Sequence, residues 1–282
     1  MTKMLLSKFE PSTERAKMET ETDLVSAREY FLKKDNRVLY NLVKDRYSWM
    51  NAYIKPTDKV IYELGCGTGI SKEFIKNPNL KLTDVIENDW IDEKIDALHL
   101  PMPDESVDVF ILCNVLHHFA YPLSFLKAAA KKLTPPSLSE CSDQSVTGGR
   151  ILMFEPYTSL TLKIAQRTFA LEGWDDNADV YDETTPCNDP DKPWSANNSI
   201  PKILFFKNVK KLSEALPNLR LKYKKLCECL TFANSGGVNY HTFHIPLGDT
   251  GYKVLKGFDS ALVALFPNVF AMGCKVVLER SC

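Results

Sequence analysis

Hydrophobic and polar positions along the chain change period several times, and each change predicts an element. From Asn36 to Ile54 the apolar residues recur at helical spacing (Val38, Leu39, Leu42, Val43, Tyr47, Met50, Tyr53, Ile54), and Pro56 follows, as expected beyond a helix end. Lys59 to Leu64 then reads as a short strand broken by glycines, and Ser71 to Lys76 as a short helix stopped by Asn77-Pro78. Leu80 to Ile86 predicts a second strand. Val107 to Cys113 is almost wholly apolar, the mark of a strand covered on both faces. Pro122 to Leu133 is helical, with Leu123, Leu126, Ala129 and Leu133 on one face, and Arg150 to Phe154 is another buried strand. Strands alternating with helices predict an α/β fold with a parallel sheet.

Regular structure returns in the last third. A helix is expected near Asn208–Leu216, a strand near Leu219–Leu230, a turn at Ser235-Gly236-Gly237, a helix around Tyr252–Leu265 and a final strand at Phe270–Glu279. Two stretches break the pattern. Pro135 to Gly149 (PPSLSECSDQSVTGG) is polar and long for a connection, so it reads as a surface insertion. Leu171 to Asn198 is rich in Asp, Asn, Trp and Pro without periodicity, and reads as a segment covering a substrate. Residues 1–22 are polar and mixed in charge, the composition of a loose arm. The expected division is an N-terminal arm over 1–35 and a single domain over 36–282, carrying the insertion at 135–149 and the cover near 171–200.

Composition narrows the classes. A chain of 282 residues with 44% hydrophobic and 25% charged residues is ordinary for a soluble globular protein. A net charge of −1 argues against a protein that lives on phosphate backbones, so no nucleic-acid partner is expected. Of the 8 cysteines, Cys66 and Cys113 fall inside predicted core elements, and the charged N-terminal stretch reads as no secretory signal. Reduced thiols and a cytoplasmic location are the expectation. Cys227-Glu228-Cys229 has no matching second pair and does not read as a zinc site. No apolar run approaches the ~18–20 residues that would cross a bilayer.

The candidate chemistry centres on ELGCGTGI, residues 63–70. A strand, a turn with glycine at 65, 67 and 69, and a following helix make a nucleotide-type turn, because glycine lets a ligand approach the backbone. The spacing is G-x-G-x-G, not that of pyrophosphate cradles, and the Lys-Ser/Thr of a phosphate-binding loop does not follow. Glu63 at the strand end repels phosphate and suits a cation. Asp84 follows Gly65 by 19 residues, close to the ~20 at which such folds place an acid on a ribose diol; Glu87 is its rival. Asp96, just before Ala97 and after an expected short third strand, is placed to accept from an adenine amino group. Three acids around one turn point to a ligand with a ribose, an adenine and a positively charged amino-acid end, which is S-adenosylmethionine.

At this point the sequence resembles the class I S-adenosylmethionine-dependent methyltransferases, of the methyltransferase type 11-like kind. The likeness runs over residues 36–156 through VIYELGCGTG, LTDVIEND, IDALHLPMPDESVDVFILCNVLHHF and GGRILMFEP. The resemblance implies a Rossmann-like sheet of seven strands, mostly parallel with an antiparallel last strand, and helices on both faces. Phe270–Glu279 is the natural candidate for that strand. It also implies that the glycine turn (Gly65, Cys66, Gly67) contacts the methionine part, Asp84 the ribose, and Asp96 with Ala97 the adenine. The loop Asn114–His117 is implied to lie beside the cofactor. Cys66 reads as a small packing residue, not a nucleophile. DKPWSANNSIP, SGGVNY and KVVLE resemble, more loosely, a subgroup of the family. One departure is plain: the family's L-x-P-G-G turn is split here, Pro136–Thr147 separating Leu133-Thr134-Pro135 from Gly148-Gly149.

Methyl transfer needs alignment, and a general base where the acceptor is a hydroxyl or ammonium. His117, in the mouth after the fourth strand, is the candidate base, and Glu155, ending the fifth, the candidate substrate contact. Adjacent histidines are not a ligand set by themselves, so no metal is expected at His117-His118. Trp174, Tyr181 and Trp194 either cover an acceptor or fill the core, and Tyr240, His241 and His244 can reach the pocket from the glycine turn before them. The expected activity is methyl transfer to a small-molecule or glycan- or lipid-linked acceptor. The alternatives are a methyltransferase of RNA or protein, with Lys207, Lys210, Lys211, Lys222, Lys224 and Lys225 as a basic face, and a non-catalytic scaffold of the same fold. A nicotinamide oxidoreductase fits the glycine spacing poorly.

Overall fold

The computed structural model describes residues 7–10, 24–136, 148–169, 172–192, 195–237 and 243–281. Most of the expected arm, residues 137–147 of the insertion, Cys141, Trp194, Tyr240, His241 and Cys282 lie outside them.

Seven strands form one sheet: β1 (Ile61–Leu64), β2 (Leu80–Asp84), β3 (Glu93–Lys94), β4 (Val109–Cys113), β5 (Arg150–Pro156), β6 (Leu219–Cys227) and β7 (Gly273–Arg280). Their order is β3-β2-β1-β4-β5-β7-β6. Pairings from β3 through β5 are all parallel, and β7 runs antiparallel to both β5 and β6. The Rossmann-like sheet with a reversed final strand is therefore present. Chain order reverses between β1 and β4, so the carboxyl ends of these two strands frame a crevice of the kind that binds ligands in open α/β sheets.

The apolar run of β4 explains why the sheet is buried. Phe110 and Leu112 join Leu64, Ile151 and Met153 on one face, while Val109 and Ile111 join Ile61, Leu152, Phe154 and Val277 on the other. This is the two-residue period of a pleated strand with both faces covered. Helix α3 (Pro122–Lys132) packs Leu123, Leu126 and Ala129 against the first face. Helix α2 (Arg37–Tyr47) packs Leu39, Val43 and Tyr47 against the second. Asn36 caps α2 by accepting from the Leu39 N–H at 3.0 Å. The apolar period continues past Tyr47 only as a 3-10 turn, Ser48–Ala52.

Several elements differ from the sequence reading. Within the residues assigned to the arm, Leu24–Lys33 form helix α1, which buries Ala27 and Phe31; Phe31 packs against Tyr40 and Phe74. Six of the ten residues of α1 are apolar, and Leu24, Ala27 and Phe31 fall at helical spacing. The helix expected at Ser71–Lys76 is only a 3-10 turn, Ile70–Glu73, because Ser71 turns its hydroxyl to Glu63 and Pro78 lies close ahead. Leu160–Phe169 form a further helix, α4. The segment expected as a cover contains a two-residue strand, Trp174–Asp175, paired antiparallel with Lys8–Phe9. The late helices are α5 (Val209–Ala215) and α6 (Asp249–Leu265). No helix among the described residues is long and apolar enough to cross a membrane.

Candidate active site

The turn after β1 takes its shape from three glycines in the left-handed region, with φ of +66° at Gly65, +50° at Gly67 and +62° at Gly69. Their reasons differ. A Cβ on Gly65 would lie 2.9 Å from Val115 Cγ2, and one on Gly69 would lie 2.3 Å from Trp90 Cδ1. These two glycines let neighbours close in. A Cβ on Gly67 would meet nothing within 4 Å, so that glycine leaves space beside the turn. The turn's own N–H groups are largely engaged: Cys66 donates to Thr83 O, Gly67 to Asp84 Oδ2 at 2.8 Å and Gly69 to Cys66 O. With those donors used and only a 3-10 turn behind them, the loop is a poor cradle for phosphate.

The three acids sit in different environments. Glu63 is wholly buried. It accepts from Tyr47 Oη at 2.9 Å and from Ser71 Oγ. Burial pushes its carboxyl up to about 7, against which the two hydroxyl bonds act only in part. Asp84, also buried, ends β2 and spans from the Gly67 N–H to the Ile86 N–H. Its rival Glu87 is exposed. Asp96 is exposed and accepts from the Leu98 N–H at 2.8 Å, with His99 Nδ1 at 2.7 Å; Ala97 beside it is buried. Asn114 holds φ +59° and donates its N–H to Phe154 O, turning the chain out of β4. Cys66 is buried, and burial raises its thiol far above the ordinary value, so it is no nucleophile at neutral pH.

Two residues that the sequence reading did not single out complete this half. Trp90 donates Nε1–H to Gly67 O at 2.8 Å. Arg28 of α1 donates to Thr68 O at 2.6 Å and lies 4.9 Å over the Trp90 ring. Trp90 is close behind Asp84 in sequence, a hint that was available. Arg28 lies in α1, and nothing local to it marks a contact with Thr68.

Beyond β4 lies a second cluster. Glu155, wholly buried at the end of β5, accepts from the Val115 and Leu116 N–H groups at 2.9 Å each, and His117 Nδ1 lies 2.7 Å from its Oε2. His117 is 1% exposed. Its Nε2 stands 3.5 Å from Glu172 Oε2, and His118 Nε2 stands 3.8 Å from Glu172 Oε1. Burial disfavours a charged His117, but Glu172 and Glu155 outweigh it and push the imidazole up to about 9. Burial and the neighbouring His117 bring His118 down to about 4. Glu172 is the functional candidate that sequence reasoning missed, since no period or motif marks it. The covering segment closes on the same loop: Asn188 Nδ2 and the Asn197 N–H both donate to His117 O, at 2.8 and 2.9 Å.

The aromatic candidates divide. Trp174 is buried at 2% exposure and packs on Phe9, so it fills the core. Tyr181 donates to Asn208 O with Lys211 4.4 Å over its ring. His244 lies against Gly236.

Residues 62–138 match a family model described as a methyltransferase domain. An S-adenosylmethionine-dependent methyltransferase from Archaeoglobus fulgidus has a similar structure, with a TM-score of 0.51 and 17% identity over 89% of this chain and 99% of that one. A further one, from Methanosarcina mazei, superposes with a TM-score of 0.43 at 13% identity, over 83% of this chain and 98% of that one. A comparison with curated proteins finds no match. The stretch that holds the glycine turn and runs through β4 to α3 is thus matched by a methyltransferase domain, and the β3-β2-β1-β4-β5-β7-β6 sheet has the fold of the S-adenosylmethionine-dependent methyltransferase from Archaeoglobus fulgidus.

Proposed function

We propose that this enzyme methylates a small-molecule or glycan- or lipid-linked acceptor, with the cofactor held across the carboxyl ends of β1, β2 and β4. One observation carries the placement. Gly67, where a Cβ would meet nothing within 4 Å, lies in the turn after Glu63 and donates its N–H to Asp84, and both carboxylates are buried. In this reading Glu63, Gly65, Cys66 and Gly67 surround the methionine end, Asp84 takes the ribose diol, Asp96 with Ala97 takes the adenine, and Asn114 borders the sulfonium. The cofactor supplies an activated methyl group. The protein's work is to hold acceptor and methyl in line and to exclude water.

His117 and Glu155 act here as positioning residues. The His117 ring is buried and its Nδ1 is committed to Glu155, which also fixes the loop carrying Asn114. Glu155 has no face left for a substrate. A small acceptor is favoured over nucleic acid by the state of the lysines. Lys210 and Lys211 pair with Glu214 and Asp179, Lys222 with Glu279, and Lys207 and Lys224 donate to the carbonyls of Asp176 and Phe205. Five of the six lysines of the expected basic face are thus tied to this chain's own acceptors.

Calorimetric titration with S-adenosylmethionine, its demethylated product and NAD tests the reading. The first two should bind and NAD should not. Asp84→Ala should weaken the sulfur ligands by about 1.5–3 kcal/mol, the worth of a charged hydrogen bond. Unchanged affinity would move the ribose role to Glu87, and no binding of either sulfur ligand to folded protein would favour a scaffold.

A further inference from the structure

We infer that His117, His118 and Glu172 bind one divalent transition-metal ion, with Zn2+ the first choice. The strongest sign is an unpartnered atom. His117 is 1% exposed, yet its Nε2 has no hydrogen-bond partner among the described residues. Asn198 Oδ1, in a carboxamide lying beside Glu172, is also buried without one. Buried polar atoms are nearly always satisfied, so two orphans beside one carboxylate point to something that completes them.

The separations select an ion. His117 Nε2 to Glu172 Oε2 is 3.5 Å and His118 Nε2 to Glu172 Oε1 is 3.8 Å, while one ligand atom from each residue lies within 4.8 Å of the others. Direct N–H···O bonds would be about 2.7–3.2 Å. Ligands placed about 2.0–2.2 Å from a shared tetrahedral ion stand roughly 3.3–3.6 Å apart. The cluster therefore fits two imidazoles and a carboxylate around an ion after a small contraction.

Both rings are turned for this task. His117 Nδ1 meets Glu155 at 2.7 Å and His118 Nδ1 meets Ser195 O at 3.2 Å. With Nδ1 engaged in each, both Nε2 atoms are turned towards Glu172. An oxygen holding the far nitrogen of a ligating histidine is the usual outer shell of a metal site. Two histidines and one carboxylate suit Zn2+ and Fe2+ and leave a coordination position open. The Glu172 side chain is 37% exposed, which gives an entry path from solvent. Adjacent histidines alone are no ligand set. The fold brings the third ligand to them from the covering segment.

The test uses the untagged 282-residue chain, stripped with chelator. Calorimetry with ZnCl2 should show about one equivalent bound, and Co2+ should give the weak visible bands of nitrogen and oxygen ligands. Glu172→Ala and His118→Ala, each with an unchanged far-UV spectrum, should bind Zn2+ at least ~10-fold more weakly. Three results overturn the inference: folded wild-type chain that takes up neither ion, both variants binding as the wild type does, or an intense near-ultraviolet thiolate-to-cobalt band placing the ion on cysteines. None of these readouts depends on cofactor binding, so the site stands or falls apart from the cofactor reading.

Discussion

The glycine turn after β1 and the histidine cluster after β4 lie on adjacent strands, yet they treat buried carboxylates in opposite ways. Glu63 has two hydroxyl partners and no cation in contact, and its carboxyl sits near 7. Glu155 is wrapped by the backbone N–H groups of Val115 and Leu116 and by the His117 ring. A carboxylate with only hydroxyl partners is one that a cationic ligand can ionise. A carboxylate ringed by N–H donors from one loop is an anchor for that loop. In the proposed reading the first kind marks a ligand side and the second a scaffold, although both are acids at strand ends.

The comparison breaks first on stability. Glu155→Ala removes the acceptor for a buried and a partly buried N–H group and strands the His117 ring, so the expected loss is about 3–5 kcal/mol in denaturant unfolding, the scale for breaking a buried charged network. A loss under about 1 kcal/mol would mean that the loop holds its own shape, and the contrast with Glu63 would fail.

The second effect is smaller and concerns pH. A cationic ligand prefers ionised Glu63, and below about 7 the free enzyme must first release that proton. Affinity for S-adenosylmethionine should therefore climb with pH up to about 7 and level off above it, by at most about tenfold per unit for a single proton. Glu63→Gln should flatten the profile. The sign for stability is opposite. Between the ordinary 4.5 and about 7 the folded chain keeps a proton that the unfolded chain has lost, so the ligand-free fold loses stability as pH rises through this window and Glu63→Gln gains on wild type. Calorimetry in buffers of different ionisation heat reads the proton directly. Release of no protons on binding near pH 6 would remove Glu63 from the ligand side.

How much of this was legible follows from how local each cause is. The glycine turn, Glu63 and Asp84 could be read because a contiguous motif and a fixed crossover length place them, and the β4 strand because its apolar run has one explanation. Glu172, Arg28 and Trp90 could not be assigned. Glu172 meets His117 only because the covering segment folds back through Asn188 and Asn197 onto His117 O. Arg28 reaches Thr68 across 40 positions of chain. Such contacts are set by tertiary packing and leave no period. The short helix expected after the turn failed for a local reason, since Ser71 gives its hydroxyl to Glu63 and leaves only a 3-10 turn.

The smallest effect separates two glycines that look alike in sequence. Gly67 and Gly69 both hold positive φ, so alanine at either pays the left-handed penalty of about 1 kcal/mol. Only Gly69 carries a second cost. Its Cβ would enter the Trp90 ring, and moving that ring breaks the 2.8 Å bond from Nε1 to Gly67 O and the Arg28 contact above it. Gly69→Ala should therefore unfold earlier than Gly67→Ala by about a further 1 kcal/mol, the net worth of one hydrogen bond. Gly67→Ala should keep the ligand-free fold nearly intact while filling the space beside the turn and weakening the cofactor. Equal stability of the two variants would show that Trp90 yields freely, and the turn would then be shaped by its backbone alone.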